Sequence, residues 1–327
     1  MKRAIILLFL LVILSCKQEE PAMHLGIWSL NKGTSGLLSD EVSSQWHGDF
    51  ELLWYGTYSG LSRMNEAGWT DYSVGTGWLT HDSVSCLGQW ENELLIGTLD
   101  GGVNRLLVNG VDAISGASAY DTIWTGLISA RVQCILVDSH GVKWFGTPKG
   151  ISLHEGDNSG AGWTDLTTAV GLVSNDVSAI AEDPSGDIWI GTEQGLSVYM
   201  NGTIVNYATG TPVENRRINA IHVHTPGIGW LGCMGGLYQL DRSGTGDNWD
   251  EIPMFGESNI HAIYQDHMED LWIGSDEGLV LYREGGLVFE NDLEVFKGLQ
   301  ITSIVPLQEN WVGVTTLGGV FVIEKPI

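Results

Sequence analysis

Several groups of side chains in this sequence have the types and spacing to do chemistry. Tyr58 and His81 offer a phenol and an imidazole, the acid and base that a polysaccharide lyase would use. Asp82 and Asp100 offer the two carboxylates of a glycosidase. Trp78 and Trp124 are flat stacking surfaces for a sugar ring, and Arg131, Lys149, Arg216 and Arg217 are cations that grip a carboxylate or sulfate. His222 and His224 alternate along one run and read as structural histidines rather than metal ligands. The stretches DNSG (157–160) and DRSG (241–244) lack the spacing of an EF-hand loop and read as turns, so calcium is only a secondary expectation. No G-x-S-x-G nucleophile elbow occurs. Gly191, Thr192 and Gly195 have the look of a phosphate-cradling loop, but such a loop opens a helix, and Gly195-Leu196-Ser197-Val198-Tyr199 alternates like a strand.

The elements that must position these groups are repeats. The stretch DIWIGTEQGLSVY (187–199) recurs as LLWYGTYSGLSRM (52–64), ELLIGTLDGGVNR (93–105), VKWFGTPKGISLH (142–154), IGWLGCMGGLYQL (228–240) and DLWIGSDEGLVLY (270–282). A degraded copy, WVGVTTLGGVFVI, stands at 311–323, and the copies are 41 to 49 residues apart. Upstream of each lies a run such as GLVSNDVSAI (171–180), and downstream an aromatic segment such as GWTDY (68–72). Each unit therefore holds four short strand-like runs punctuated by turn residues, including Asp183-Pro184-Ser185-Gly186, ideal for a type I turn.

Four strands in every unit of this length predict an all-β fold, a seven-bladed β-propeller of four-stranded antiparallel blades. The last copy lacks its fourth run, and LGIWSLNKGTSG (25–36) matches that missing segment. An N-terminal strand is thus expected to complete the last blade and close the ring, giving one domain over 25–327. Trp54, Trp144, Trp189, Trp230 and Trp272 share one repeat position and should bury between blades. Gly191 should allow close backbone approach, and Gly195 should supply a positive φ.

The repeat resembles that of the two-component regulator propeller family, D-x-x-G-x-x-W-x-G-T-x-x-G-L-x-x-Y. Asp183, Gly186, Trp189, Gly191, Thr192, Gly195, Leu196 and Tyr199 match it. Departures are Leu95 and Gly313 for the Trp, and Cys233 and Ser275 for the Thr, while WD and kelch signatures are absent. The resemblance implies the extracytoplasmic half of a hybrid sensor kinase, associated with glycan sensing. The sequence ends at Ile327, leaving no room for a kinase or a following β-sandwich, so direct signalling is not expected.

The N-terminal stretch MKRAIILLFLLVILSCKQEE places two bases before a short apolar run, the layout of a secretory signal over 1–15. Cys16 sits where a bacterial lipoprotein carries its lipid, with 16–24 as tether. Export to a Gram-negative outer membrane follows, possible surface exposure included, with the lipid as the sole membrane link. The whole chain carries a net charge of −25; without residues 1–15 it has 13 bases against 40 acids, net −27. Such a surface excludes nucleic acid and anionic headgroups as partners. Cys86 and Cys134 fall at matching repeat positions; a disulfide is open to an exported protein, but two buried thiols are the expectation.

Function should lie where the repeat varies. The loops into each inner strand and the loops between second and third strands share one face around the axis. That face collects Tyr58, Trp78, His81, Arg131, Lys149, Arg216 and Arg217, with Trp124 just before it. The reading is a non-enzymatic, monomeric binding module for a glycan or an envelope partner protein, without cofactor. Alternatives are a lyase or glycosidase on the same scaffold, and a scaffold in an envelope complex.

Overall fold

The computed structural model describes residues 25–47, 52–110, 114–120, 126–155, 162–283, 286–288, 293–308 and 310–325. The expected signal, Cys16, the tether, Trp124 and the 157–160 loop lie outside them. Among the described residues 28 strands, β1 to β28 in chain order, form seven antiparallel sheets of four strands. No described helix is long and apolar enough to cross a membrane.

Blade four shows the plan: β14 (Val177–Glu182), β15 (Ile188–Thr192), β16 (Gly195–Met200) and β17 (Thr203–Tyr207) pair in that order. The first strand of each blade packs on the first strands of both neighbours, so the blades close a ring. Closure comes as expected. Blade seven consists of β26 (Ile301–Gln308), β27 (Trp311–Thr316) and β28 (Gly319–Glu324), and β1 (Gly26–Leu30) pairs with β28 from Gly26↔Glu324 to Leu30↔Val320.

The recurring residues are structural. The carboxylate of Asp138 accepts hydrogen bonds from the backbone N–H groups of His140 and Val142 and from Trp144 Nε1 (2.9 Å). Asp266 does the same for Met268, Asp270 and Trp272 Nε1 (3.1 Å). One Asp thus staples the turn between first and second strands and fixes the indole that fills the space between blades. Trp54, Trp144, Trp189 and Trp272 are at most 4 % exposed, and burying each contributes several kcal/mol. Trp230 is half-buried.

In the next turn Thr192 Oγ1 donates to the Gly195 carbonyl (2.8 Å) and accepts from Gln194 N–H (3.2 Å). Gly195 has φ +127°, which a side chain would strain. A Cβ on Gly191 would sit 2.8 Å from Ile218 Cγ2 of the next blade. The glycines therefore permit turning and close approach, and no phosphate cradle forms.

Charged residues away from the axis stitch blades together. Lys143 on blade three meets Glu93 on blade two at 3.2 Å, and Arg105 also holds Glu93. Arg242 lies over the rings of Trp189 and Tyr207. At the seam, Lys325 is buried against Asp266 (2.7 Å) and Asp270 of blade six. Cys86, Cys134 and Cys233 are free thiols; burial pushes Cys86 and Cys233 up to about 12. His222 accepts a hydrogen bond from the Gln265 N–H through Nε2 (3.3 Å), which fits a structural role. Burial and the neighbouring His224 push its pKa down to about 4.

Candidate functional site

The first strands carry the geometry of the axial face. In six blades, the N–H of the turn between second and third strands donates to the carbonyl of the residue just before the first strand. Examples are Tyr58 to Glu41 (3.3 Å), Glu193 to Asp176 (3.0 Å) and Met234 to Arg217 (2.9 Å). This bond sets both loops on one face. Blade three has Pro148 at that turn position, which has no N–H to give.

One residue further on, the first strand bulges in six blades, between Val177 and Ala179 for example. A bulge re-aims its extra side chain, here toward the neighbouring blade. Ser43 donates to the Val84 carbonyl (2.7 Å), Ser85 to Val132 (2.6 Å) and Ser178 to Ile218 (2.7 Å). Asn219 donates to Ile260 (3.2 Å), Thr302 to Val42 (2.7 Å), and Gln133, ahead of the unbulged strand of blade three, to Val177 (3.1 Å). Six blades are latched to the next through this one position.

Blade six departs. Its residue at the latch position, His261, turns instead to Asp276, whose other oxygen accepts from Asn259 Nδ2 (2.8 Å). Burial opposes ionisation of Asp276, but the bonds from Asn259 and His261 outweigh it and hold its carboxyl below the usual range. Beside His261 the mouth of the axis opens into a cup of about 200 Å3. The exposed Tyr58, with Leu99 and Gln300, lines it together with the latch residues Ser43, Ser85, Asn219 and Thr302. Across the axis, Arg217 bonds Asp176 (3.2 Å) and Gln133 (3.0 Å).

The residues singled out by sequence divide on this face. Tyr58 is 41 % exposed at the cup. Trp78 is half-buried, its ring edge-on to Tyr72 at 5.8 Å. It replaces the left-handed glycine of other connectors, such as Gly171 (φ +117°), and the positive φ moves to Gly77 (+80°). His81 occupies the place of Ser39, Ser129 and Ser174: each accepts the N–H of the residue two further on, His81 through Nδ1 from Ser83 (3.1 Å). Asp82 accepts Val74 N–H (2.7 Å), as Asp40 does Lys32 N–H and Asn175 does Thr168 N–H. Arg216 donates to the Pro212 and Gly235 carbonyls and lies over Tyr238. Arg217 is taken up by Asp176. Arg131 and Lys149 are exposed, and neither has an ion-pair partner among the described residues.

Sequence reading missed His261, Gln300 and the latch residues. The signal was present in one column, the residue after the first apolar position of each first strand: Ser43, Ser85, Gln133, Ser178, Asn219, His261 and Thr302.

The sequence of residues 171–194 matches the family model described as two component regulator propeller. Solved structures carry the same fold around it. The extracellular domain assigned to the hybrid two component system BT3049 of B. thetaiotaomicron superposes with a TM-score of 0.73 at 18 % identity, over 92 % of this chain and 42 % of that one. For BT4673 of the same organism the values are 0.74, 20 %, 91 % and 40 %. The chain thus spans about two fifths of the length of these two structures. A catalytically inactive virginiamycin B lyase from Staphylococcus aureus, with quinupristin, superposes with a TM-score of 0.68 at 15 % identity, over 93 % of this chain and all of that one. No curated protein matches the chain.

Proposed function

We propose that this chain is an exported, lipid-anchored propeller that binds a glycan or an envelope partner protein on its axial face and performs no chemistry there. The observation that carries the reading is the one-sidedness of the surface. Of the eight large apolar side chains exposed among the described residues, all but Met268 lie on the axial face. Exposed apolar groups gathered on one face mark recognition surfaces. Arg131 and Lys149, without ion-pair partners among the described residues, stand on the same face, whereas Asp82 and the Nδ1 of His81 are committed to backbone N–H groups there.

Export is supported by the signal-like N-terminus and by the extracellular domains among the structural neighbours. The test is a glycan panel presented to the purified chain, read for both binding and product release, beside capture from envelope extracts. Binding of a glycan or of an envelope protein, without product release, is the expected result. Turnover abolished by His81→Ala or Asp82→Ala would replace the binding module with an enzyme.

A further inference from the structure

The latch bonds decide what the axial cup can hold. A hydroxyl has one proton and two acceptor sites. The protons of Ser43, Ser85 and Thr302 are already given to the carbonyls of Val84, Val132 and Val42. The walls they form therefore offer oxygen lone pairs and no O–H, with one lone pair of Thr302 taken by the Thr315 hydroxyl (2.8 Å). Asn219 spends one N–H on Ile260 and keeps its amide oxygen and a second N–H. In the tautomer that gives Nε2–H to Asp276, His261 leaves Nδ1 as an acceptor. Among the latch groups lining the cup, acceptors thus outnumber donors.

An anionic group placed there would face lone pairs, and buried polar groups without partners are costly. A ligand rich in O–H donors would satisfy them. Asp276, bonded to the lining residue His261, has both its oxygens engaged by His261 and Asn259, which weakens its pull on an ammonium group. Tyr58 supplies an exposed flat face, and Gln300 brings both a donor and an acceptor. The cup volume of about 200 Å3 lies below the ~300–1,000 Å3 of sites for drug-sized ligands, so it suits one ring of a longer chain.

Resting on the reading of the axial face as a binding surface, we infer that the cup is a subsite for a single neutral sugar unit, held by its hydroxyls against the latch oxygens and stacked on Tyr58. Arg131 and Lys149 are not among its lining residues, so they do not select its occupant.

The test is calorimetric titration of the full chain with three probe sets: neutral gluco-, manno-, galacto- and xylo-oligosaccharides, oligogalacturonate, and glucosamine oligomers. The expected result is binding of at least one neutral set, weakened about tenfold in Tyr58→Ala and about fivefold in Gln300→Ala, and unchanged in Arg131→Ala. Tyr58 is exposed and Gln300 makes no side-chain bond among the described residues, so both variants should fold. Preference for oligogalacturonate, lost in Arg131→Ala, would overturn the subsite while leaving the binding module intact. Preference for glucosamine oligomers would overturn the neutral assignment. Silence toward all three sets, with a protein captured from envelope extracts, would also overturn the subsite and keep the module; silence in both assays would remove both.

Discussion

Blades four and six share nearly every buried device. Each has a fully buried tryptophan, Trp189 or Trp272, an Asp staple, Asp183 or Asp266, and a hydroxyl-to-glycine turn. Two differences bear on the axis and the seam. Ser178 latches blade four to blade five, whereas His261 leaves the Ile301 carbonyl without a side-chain donor among the described residues and pairs with Asp276. Asp183 receives Gly227 N–H at 3.2 Å from the next blade, whereas Asp266 receives the buried ammonium of Lys325 at 2.7 Å. The recurring part packs a blade, and the departures serve the axis and the seam.

The largest test of this contrast is at the staples. Asp266→Ala strands the buried Lys325 beside Asp270 alone and should cost about 3–5 kcal/mol. Asp183→Ala loses hydrogen bonds without stranding a cation and should cost about 1–3 kcal/mol. Equal losses in chemical denaturation would erase the difference assigned to the seam.

Next comes pH. His222 holds blade six to blade five only while neutral, and its folded pKa is lowered from 6.5 to about 4. Below 6.5 the unfolded chain binds a proton that the folded one resists, so stability should fall as pH drops from 6.5 toward 4, by on the order of 2–3 kcal/mol. Melting temperatures at pH 7 and 4.5 should converge in His222→Gln, which keeps an acceptor and does not titrate.

Smaller effects are expected at the close approaches. A Cβ would lie 2.8 Å from Ile218 Cγ2 at Gly191, but 2.4 Å from Ile301 Cγ2 at Gly274. Both Ala variants should lose about 1–3 kcal/mol, Gly274→Ala the more. The smallest change is His261→Ser, which would give blade six the missing latch and raise stability by about 0.5–1.5 kcal/mol, measured by urea midpoint.

The ring was legible because its signals are periodic: Trp189, Gly191 and Gly195 recur for packing reasons, and the segment around Gly26–Leu30 fits the strand that blade seven lacks. The site was legible only as a face. Arg216 and Arg131 look alike in sequence, yet one is bound by the Gly235 carbonyl and Tyr238 while the other stays exposed. His81 drew attention as a base because the Ser column it interrupts becomes visible only through the N–H each member accepts. His261 went unnoticed because its column of small polar residues reads as filler until the bulges aim them across the blade boundary.

The strand β1 carries one more consequence. Among the described residues it is the strand that covers the outer edge of β28, a six-residue strand from Gly319 to Glu324. Detaching it, by proteolysis after Leu30 or by pulling on the N-terminus, would bare a row of unpaired amides and carbonyls. Another molecule's β1 could then fill that place. Strand exchange between copies would link rings end to end without disturbing any of their axial mouths.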